Sequence, residues 1–434
     1  MKRILALVTT LALLGIAAAQ TDIQFWYTFS DEKRAGWIQE RIAEFNEQLT
    51  AEGQPYQIVG ESKGTYAEIL NASVLAARQG NAPTLVQLYE VGSQTALDTG
   101  IFAPVGSIGE FDTSDYIAPV LNYYTIGGQV NSIPFNSSSP IIYANKTLMD
   151  AAGVAEVPQT YGAMLAACDA AQAAGVLTTD VKCFGVSVNS WFFEQWMAQQ
   201  GAELANNGNG RESRATEVNL TSDAAKNVFN FLKEMNDKGY YTYTGKLEDW
   251  DGSDAIFTEG NVMFHITSTA DLVNIGDAVG DKFEMVTGIL PIADDAERNG
   301  VVIGGASVWL TKDKPVEEQT VARDFVLYMT NPENMVDWHK VTGYYPVRNS
   351  SVTMLEDEGY FEANPNAYTA FGQLLETIPN VATGGALMGD FQSIRTIIGE
   401  AWQKVLNGEE VDAVLAEAKT LADARLAEYN ANFQ

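Results

Sequence analysis

The sequence has few of the residues on which metal and nucleophile chemistry depends. Its 434 residues include two histidines, His265 and His339, and two cysteines, Cys168 and Cys183. Two histidines nearly exclude histidine-based metal sites and histidine-assisted nucleophiles, and His339, in DWHK on a predicted helix, is interpreted as structural. A GxxxxGK[ST] phosphate loop is absent, and no GxGxxG follows the first strand. We therefore expect no catalytic residues, no metal, no cofactor and no enzymatic activity.

Basic residues are also scarce. There are 26 Lys and Arg against 56 Asp and Glu, a net charge of −30. Such a surface repels nucleic acid and anionic lipid, so neither is expected as a partner. Acidic pairs such as Glu110 with Asp112 arise by chance in so acidic a chain and are interpreted as solvated surface.

Long apolar runs are missing beyond the first residues. Lys2 and Arg3 precede an apolar stretch from residue 4 to residue 16, and small residues follow at 17–19. This order predicts a signal peptide over residues 1–19 and a mature protein outside the cytoplasm, in the periplasm. Its removal takes away two of the 26 basic residues, so 24 remain against 56 acidic ones and the net charge becomes −32.

The two cysteines leave a choice open. In an oxidising compartment they could form one disulfide that closes a short loop, or they could remain two buried thiols. Neither lies in a CxxC pair, so a redox role is not expected.

Strand and helix patterns alternate after residue 20. Residues 22–28, 56–60 and 84–89 are rich in β-branched and aromatic residues and predict strands. Between them, Ser30 is expected to cap a helix with an apolar face of Ile38, Ile42, Phe45 and Leu49, and a second helix is expected to bury Ile69, Leu70, Val74 and Leu75. This βαβαβ order predicts an α/β fold with a largely parallel sheet and helices on both faces.

Later segments repeat the alternation. Residues 140–143, 261–266 and 301–310 predict strands, and residues 148–152, 227–238 and 411 onward predict helices. About 415 residues exceed one hydrophobic core, so two lobes are expected. Because no linker is visible, we expect a hinge that the chain crosses more than once. The expected division is 20–129 with 268–320 in an N-terminal lobe, and 130–267 with 321–434 in a C-terminal lobe.

Aromatic residues cluster in polar segments, beside carboxylates. Examples are Trp26-Tyr27, Tyr89-Glu90 and the Trp191-Phe192-Phe193 run. Aromatic faces pack on the C–H surfaces of polyols, and carboxylates accept hydrogen bonds from hydroxyl groups. The pattern favours non-covalent capture of a small polar solute.

Seven segments spread along the chain form a recognisable set, which is KGTY (63–66), GNAPTLVQLYEVG (80–92), PFNSSSPIIYANK (134–146), EMNDKG (234–239), IGGASVWL (303–310), WHKVTGYYPV (338–347) and GDFQSIR (389–395). In these segments the chain resembles the glycerol-3-phosphate-binding proteins of ABC importers, within extracellular solute-binding protein family 1 and the maltose-binding-protein-like group. The resemblance implies a two-lobed type II periplasmic binding protein fold that closes on a ligand at the hinge.

The resemblance also implies ligand-binding positions, which are Tyr66, Glu90, Ser138, Trp191, Ser268, Gly305, Tyr344 and Arg395. Their chemistry suits a phosphorylated polyol. Ser268 is expected to cap a helix whose N–H groups face an anion, and Gly305 would let the backbone approach a phosphate. Arg395 is expected to offer a planar fork to phosphate oxygens, and Glu90 to hold glycerol hydroxyls.

The expected function is that of a monomeric solute-binding subunit. It would bind sn-glycerol 3-phosphate, or a glycerophosphodiester such as glycerophosphocholine, and deliver it to the transmembrane subunits of an ABC permease. One alternative is a neutral oligosaccharide binder with the same fold. Another, from a different class, is a secreted hydrolase of sugars or phosphodiesters.

Overall fold

The computed structural model describes residues 20–433. The signal peptide predicted at residues 1–19 lies outside the described residues. Within residues 20–433, no helix has both the length and the apolar character that a membrane span requires.

The strands form two main sheets and one small hairpin. In chain order they are β1 (Thr21–Tyr27), β2 (Tyr56–Ser62), β3 (Leu85–Tyr89), β4 (Phe102–Ala103), β5 (Thr125–Ile126), β6 (Gln129–Val130), β7 (Ile133–Ser138), β8 (Pro140–Asn145), β9 (Lys182–Val186), β10 (Tyr241–Thr242), β11 (Val262–Ser268), β12 (Met285–Gly288) and β13 (Gly304–Thr311).

Helices cover the faces of both main sheets. They are α1 (Glu32–Ala51), α2 (Tyr66–Arg78), α3 (Ser93–Thr99), α4 (Ala118–Tyr124), α5 (Lys146–Ala152), α6 (Tyr161–Ala173), α7 (Ser190–Gln199), α8 (Asn206–Asn209), α9 (Asp223–Asp237), α10 (Trp250–Thr258), α11 (Leu272–Val279), α12 (Val316–Met329), α13 (Pro332–Thr342), α14 (Asn349–Asp357), α15 (Tyr360–Ala363), α16 (Pro365–Leu375), α17 (Phe391–Leu406) and α18 (Val411–Asn430).

The first sheet is mixed rather than largely parallel. Its order is β2-β1-β3-β13-β4, and β7 also pairs with β13. The predicted βαβαβ unit accounts for the parallel pairs of β1 with β2 and of β1 with β3. Strand β13, which returns to this sheet from the second one, instead runs antiparallel to β3, β4 and β7.

The second sheet has the order β10-β9-β11-β8-β12. Strand β11 pairs parallel with β9 and antiparallel with β8, and β12 pairs antiparallel with β8. The chain enters this sheet at Ser139, the single residue between β7 and β8. It leaves between β12 and β13 and returns between α13 and α17, so the hinge has several crossings, as predicted.

The predicted lobe boundaries differ from the sheet assignment. The residues of β7 were assigned to the second lobe but pair in the first sheet, and those of β12 were assigned to the first lobe but pair in the second. Neither segment was among the predicted strands. Helices α12 and α13 pack against α1 of the first lobe, whereas α17 and α18 pack against α9 of the second. Local sequence patterns do not show which sheet a segment joins, because pairing is decided by tertiary packing.

The first two helices match their predicted positions with two corrections. In α1 the predicted apolar residues are buried, but the N-cap is Asp31, whose side chain accepts a hydrogen bond from the Arg34 N–H, and not Ser30. In α2 Ile69 and Leu70 are buried, whereas Leu75 is 56% exposed. Leu75 lies outside the apolar stripe that faces the sheet.

Cys168 and Cys183 form a disulfide. It joins α6 to β9 in the core of the second lobe, and both side chains are fully buried. The Cα atoms are 5.5 Å apart and the residues are 15 positions apart in sequence. The sequence left open whether these cysteines form a disulfide or remain two thiols, and in the structure they form the disulfide.

His339 is structural, as predicted. It is buried in α13, and its Nδ1 lies 2.8 Å from the Tyr344 carbonyl oxygen, so Nδ1 carries the hydrogen and donates. Burial lowers the pKa of His339 to about 4, although this hydrogen bond opposes the change. The imidazole is therefore neutral at pH 7 and holds the backbone turn that carries Tyr344.

Replacing both cysteines with alanine should lower the free energy of unfolding by about 3 kcal/mol, since a loop of this length then gains entropy in the unfolded chain. Urea denaturation of the wild type and of Cys168→Ala/Cys183→Ala measures the difference. A reductant should destabilise the wild type and leave the double variant unchanged. Equal stability of the two oxidised proteins would contradict a stabilising disulfide.

His339 should make stability fall as the pH drops from about 6.5 to about 4. An unfolded chain binds a proton near pH 6.5, whereas the folded protein binds it only near pH 4. The full contribution is present above pH 6.5, and about 3 kcal/mol is lost by pH 4. His339→Gln should therefore show a smaller decrease in unfolding free energy over this range. An unchanged pH dependence would show that His339 titrates normally.

Candidate ligand-binding site

Four chain segments meet at the end of β7, where the two sheets adjoin. The β7–β13 ladder pairs Ser138 with Gly304 and Ser137 with Gly305. The Tyr345 N–H donates to the Ser137 carbonyl over 2.7 Å, and the Thr269 N–H donates to the Ser139 carbonyl over 2.9 Å. These backbone hydrogen bonds bring together four of the predicted residues, which are Ser138, Ser268, Gly305 and Tyr344.

Gly305 occupies a position that only glycine can fill. Its φ is +97°, and an added Cβ would lie 1.9 Å from the Asn136 carbonyl oxygen. It is also the one residue of β13 that is partly exposed, while its neighbours in the strand are buried. The backbone at Gly305 is therefore uncovered at the point where the lobes adjoin.

Two predicted tyrosines meet at Asn136. The Asn136 Nδ2 donates to the Tyr66 hydroxyl over 2.9 Å, and its Oδ1 accepts from the Gln87 side chain over 2.7 Å. Burial raises the pKa of Tyr344, while Arg34 and contacts with Asn136 and Tyr66 lower it. Burial likewise raises the pKa of Tyr66. Both hydroxyls remain protonated and can donate to an anion.

Ser268 is an N-cap, as predicted, although of a 3₁₀ turn that precedes α11. Its Oγ accepts from the Ala270 N–H over 3.1 Å, so its own hydrogen is free to donate elsewhere. Just beyond the cap, Arg34 of the first lobe pairs with Asp271 over 2.8 Å. The ion pair holds α1 against the second lobe beside the hydroxyl cluster, which we define as Tyr66, Ser138, Ser268 and Tyr344.

Glu90 and Arg395 lie in a buried ion cluster that includes a residue the sequence did not predict, Glu194. Arg395 Nη2 donates to Glu90 Oε1 over 2.6 Å, while Nε and Nη2 donate to the two Glu194 oxygens over 2.7 Å each. The three side chains are between 6% and 11% exposed. Burial raises the pKa of Glu90, and Arg395 opposes the change.

This arrangement changes the role expected for Arg395. The Nε and Nη2 edge of the guanidinium, which was expected to receive phosphate oxygens, is occupied by carboxylates. Burial lowers the pKa of Arg395, but Glu194 and Glu90 more than offset it and keep the group charged. In this structure Arg395 bridges the lobes through its two carboxylate partners and does not present a free fork to a phosphate.

Trp191 lies over the backbone of β13. An added Cβ at Gly304 would be 2.5 Å from its indole ring, so the ring rests directly on the residue before Gly305. Trp191 is also among the residues that line a small cavity of about 20 Å³ at the junction of the lobes, with Glu90, Tyr123, Glu194 and Phe391. The ring thus lies between the backbone at Gly304 and the two glutamates of the ion cluster.

Two residues of this candidate site were not predicted from the sequence. Asn136 stands within the segment PFNSSSP, and its contact with Tyr66 depends on the fold. Glu194 carried a usable signal, because it is the only charged residue in α7 (SWFFEQWMAQ) and follows Trp191 by one helical turn. A lone charge on a buried helix face needs a partner, which here is Arg395.

The chemistry of a hydrolase finds little support in the described residues. The sequence GESKG at 60–64 matches the GxSxG pattern of serine hydrolases. However, Ser62 is exposed at the end of β2 and contacts the Thr28 carbonyl, while the two histidines bond to Asp254 and to the Tyr344 carbonyl. Within residues 20–433 no group of acidic, histidine or cysteine side chains is placed to hold a metal ion.

Comparison with known proteins places this geometry in a family. Residues 40–370 match the family model for bacterial extracellular solute-binding proteins. The chain is 31% identical over 419 residues to the sn-glycerol-3-phosphate-binding periplasmic protein UgpB of Escherichia coli K12, which covers 93% of this chain and 92% of that protein. The protein of the same name from Shigella flexneri serotype 5b is also 31% identical, with the same coverage.

Solved structures show the same fold. UgpB from Mycobacterium tuberculosis in complex with glycerophosphocholine has a TM-score of 0.77 at 22% identity, covering 94% of this chain and 99% of that one. The Thermus thermophilus maltotriose binding protein has a TM-score of 0.70 at 18% identity, covering 93% and 99%. The predicted two-lobed type II fold is confirmed, and the chain belongs to the family of bacterial extracellular solute-binding proteins.

Proposed function

We propose that this protein captures sn-glycerol 3-phosphate or a glycerophosphodiester, such as glycerophosphocholine, between its lobes. The observation that carries the proposal is the pairing of two unlike groups at one junction. One is a cluster of neutral hydroxyl donors around Gly305, and the other is the Glu90–Arg395 pair. A phosphorylated polyol has a part that suits each group, because its phosphate accepts hydrogen bonds from the hydroxyl donors and its hydroxyls can bind the ion pair.

The hydroxyl cluster suits the phosphate. Its four hydroxyl groups and the backbone at Gly305 can donate to phosphate oxygens without bringing a positive charge. A hydrogen bond to a charged partner contributes about 1.5–3 kcal/mol. Several such donors compensate for the loss of phosphate hydration.

The Glu90–Arg395 pair suits the vicinal hydroxyls of glycerol. Among residues 20–433, Glu90 Oε2 and Arg395 Nη1 take part in no hydrogen bond. They offer one acceptor and one donor, and Glu90 lines the same small cavity as the Trp191 ring. One glycerol hydroxyl can donate to Glu90 while its neighbour accepts from Arg395, and the carbon chain packs on the indole.

The relatives support this ligand class. The proteins at 31% identity are named for sn-glycerol 3-phosphate, and the Mycobacterium tuberculosis structure contains glycerophosphocholine. Closure of the lobes around the ligand would shift an open–closed equilibrium and present the closed form to the transmembrane subunits of an ABC permease. The protein would act as a monomeric binding subunit and not as an enzyme.

Export from the cytoplasm belongs to the same proposal. The order of residues in 1–19 is that of a cleaved signal peptide. The disulfide between Cys168 and Cys183 suits an oxidising compartment such as the periplasm.

Calorimetric titration should show binding of one molecule of glycerol 3-phosphate or glycerophosphocholine per chain. Ser138→Ala/Ser268→Ala should weaken this binding by about a hundredfold or more, because two hydrogen bonds to a charged phosphate are lost. Maltotriose should give no heat, since it lacks an anion for the hydroxyl cluster.

Ser107→Ala is the matched control, because Ser107 is an exposed serine of the first lobe and, among residues 20–433, its hydroxyl bonds only to the Pro104 carbonyl. It should bind as the wild type does. Absence of heat with both phosphate ligands would reject the proposal, and heat with maltotriose alone would assign the protein to the oligosaccharide binders.

A further inference from the structure

Glu194 and Arg395 form a pair within one lobe. Helices α7 and α17, which carry them, pack together in the core of the second lobe. Arg395 donates from Nε and from Nη2 to the two Glu194 oxygens, in the bidentate geometry of a guanidinium and a carboxylate. Glu90 comes from the first lobe. Closure of the lobes therefore makes or breaks the Glu90 contact, while the Glu194 contact lies inside a unit that moves as one.

The oxygens of Glu194 are already used. Oε1 accepts from Arg395 Nε and also from the Ser190 hydroxyl over 3.1 Å, and Oε2 accepts from Arg395 Nη2. The side chain is 11% exposed. Glu194 therefore has little capacity left to bind a ligand, and it influences the site through Arg395.

An arginine side chain has many rotamers, and its guanidinium can point in many directions unless a partner fixes it. Glu194 fixes it by two hydrogen bonds on one edge. That leaves Nη2 directed to Glu90 Oε1, and leaves Nη1 without a partner among the described residues. The orientation that presents Nη1 to a ligand thus depends on Glu194.

We propose that Glu194 is a positioning residue for ligand capture. It holds Arg395 in the second lobe in the one orientation that can meet both Glu90 and the vicinal hydroxyls of the ligand when the lobes close. This inference rests on the proposed binding of a phosphorylated polyol. It adds a residue that contacts no ligand and still determines affinity for the polyol part.

The test is a set of glycerol 3-phosphate titrations by calorimetry. Glu194→Gln should weaken binding by about tenfold to a hundredfold, because the amide keeps the shape of the side chain but accepts only one of the two charged hydrogen bonds. Glu194→Asp keeps the charge and should lose less. The matched control is Glu234→Gln, an exposed glutamate of α9 that has no side-chain partner among the described residues; it should bind as the wild type does.

The same substitution in an Arg395→Ala variant distinguishes a positioning role of Glu194 from a general structural one. In Arg395→Ala no guanidinium remains to be oriented, so adding Glu194→Gln should cause no further loss of affinity. The unfolding midpoint of each ligand-free variant shows whether it is folded. Equal losses in Glu194→Gln and Glu194→Asp, wild-type affinity in Glu194→Gln, or a further loss of similar size in the Arg395→Ala background would each overturn the inference. Wild-type protein that binds no phosphate ligand would instead reject the proposed function.

Discussion

The guanidinium of Arg395, held between a carboxylate from each lobe, is the interaction on which the site depends. A buried charge is tolerated only when it is paired and hydrogen-bonded, and removing one partner leaves the other uncompensated. Glu194 satisfies Arg395 from within the second lobe, and Glu90 reaches it from the first. The ion cluster thus links the lobes, and its two glutamates line the same small cavity as Trp191.

This arrangement explains how so acidic a chain could hold an anion. With two carboxylates sharing one guanidinium, the ion cluster has no positive charge to spare for a phosphate. The hydroxyl cluster at Gly305 has donors and no charge, and β7, β13 and the Tyr345 contact fix its position through backbone hydrogen bonds. Such donors act at contact distance, whereas the net surface charge is screened beyond about 8 Å at physiological salt.

The sequence predicted local elements better than the pairings between them. Strands β1 to β3 follow from their β-branched and aromatic residues, and the buried face of α1 follows from helical spacing. The ligand-binding positions were implied by the family resemblance, and the structure places their segments at one junction. The sheet to which β7 and β12 belong could not be predicted, because it depends on contacts far apart in sequence. The partner of Arg395 was missed for the same reason, since Glu194 lies about two hundred residues away. The disulfide could not be predicted either, because it requires that α6 and β9 pack side by side.

The central claim is a division of labour, in which neutral donors hold the phosphate and the Glu90–Arg395 pair holds the polyol. A crystal structure of the protein with glycerol 3-phosphate tests it most directly. The account predicts phosphate oxygens against the hydroxyls of Ser138, Ser268 and Tyr344 and the backbone of Gly305, with the glycerol hydroxyls on Glu90 and Arg395. A phosphate seated on the Arg395 guanidinium in place of Glu194 would contradict it.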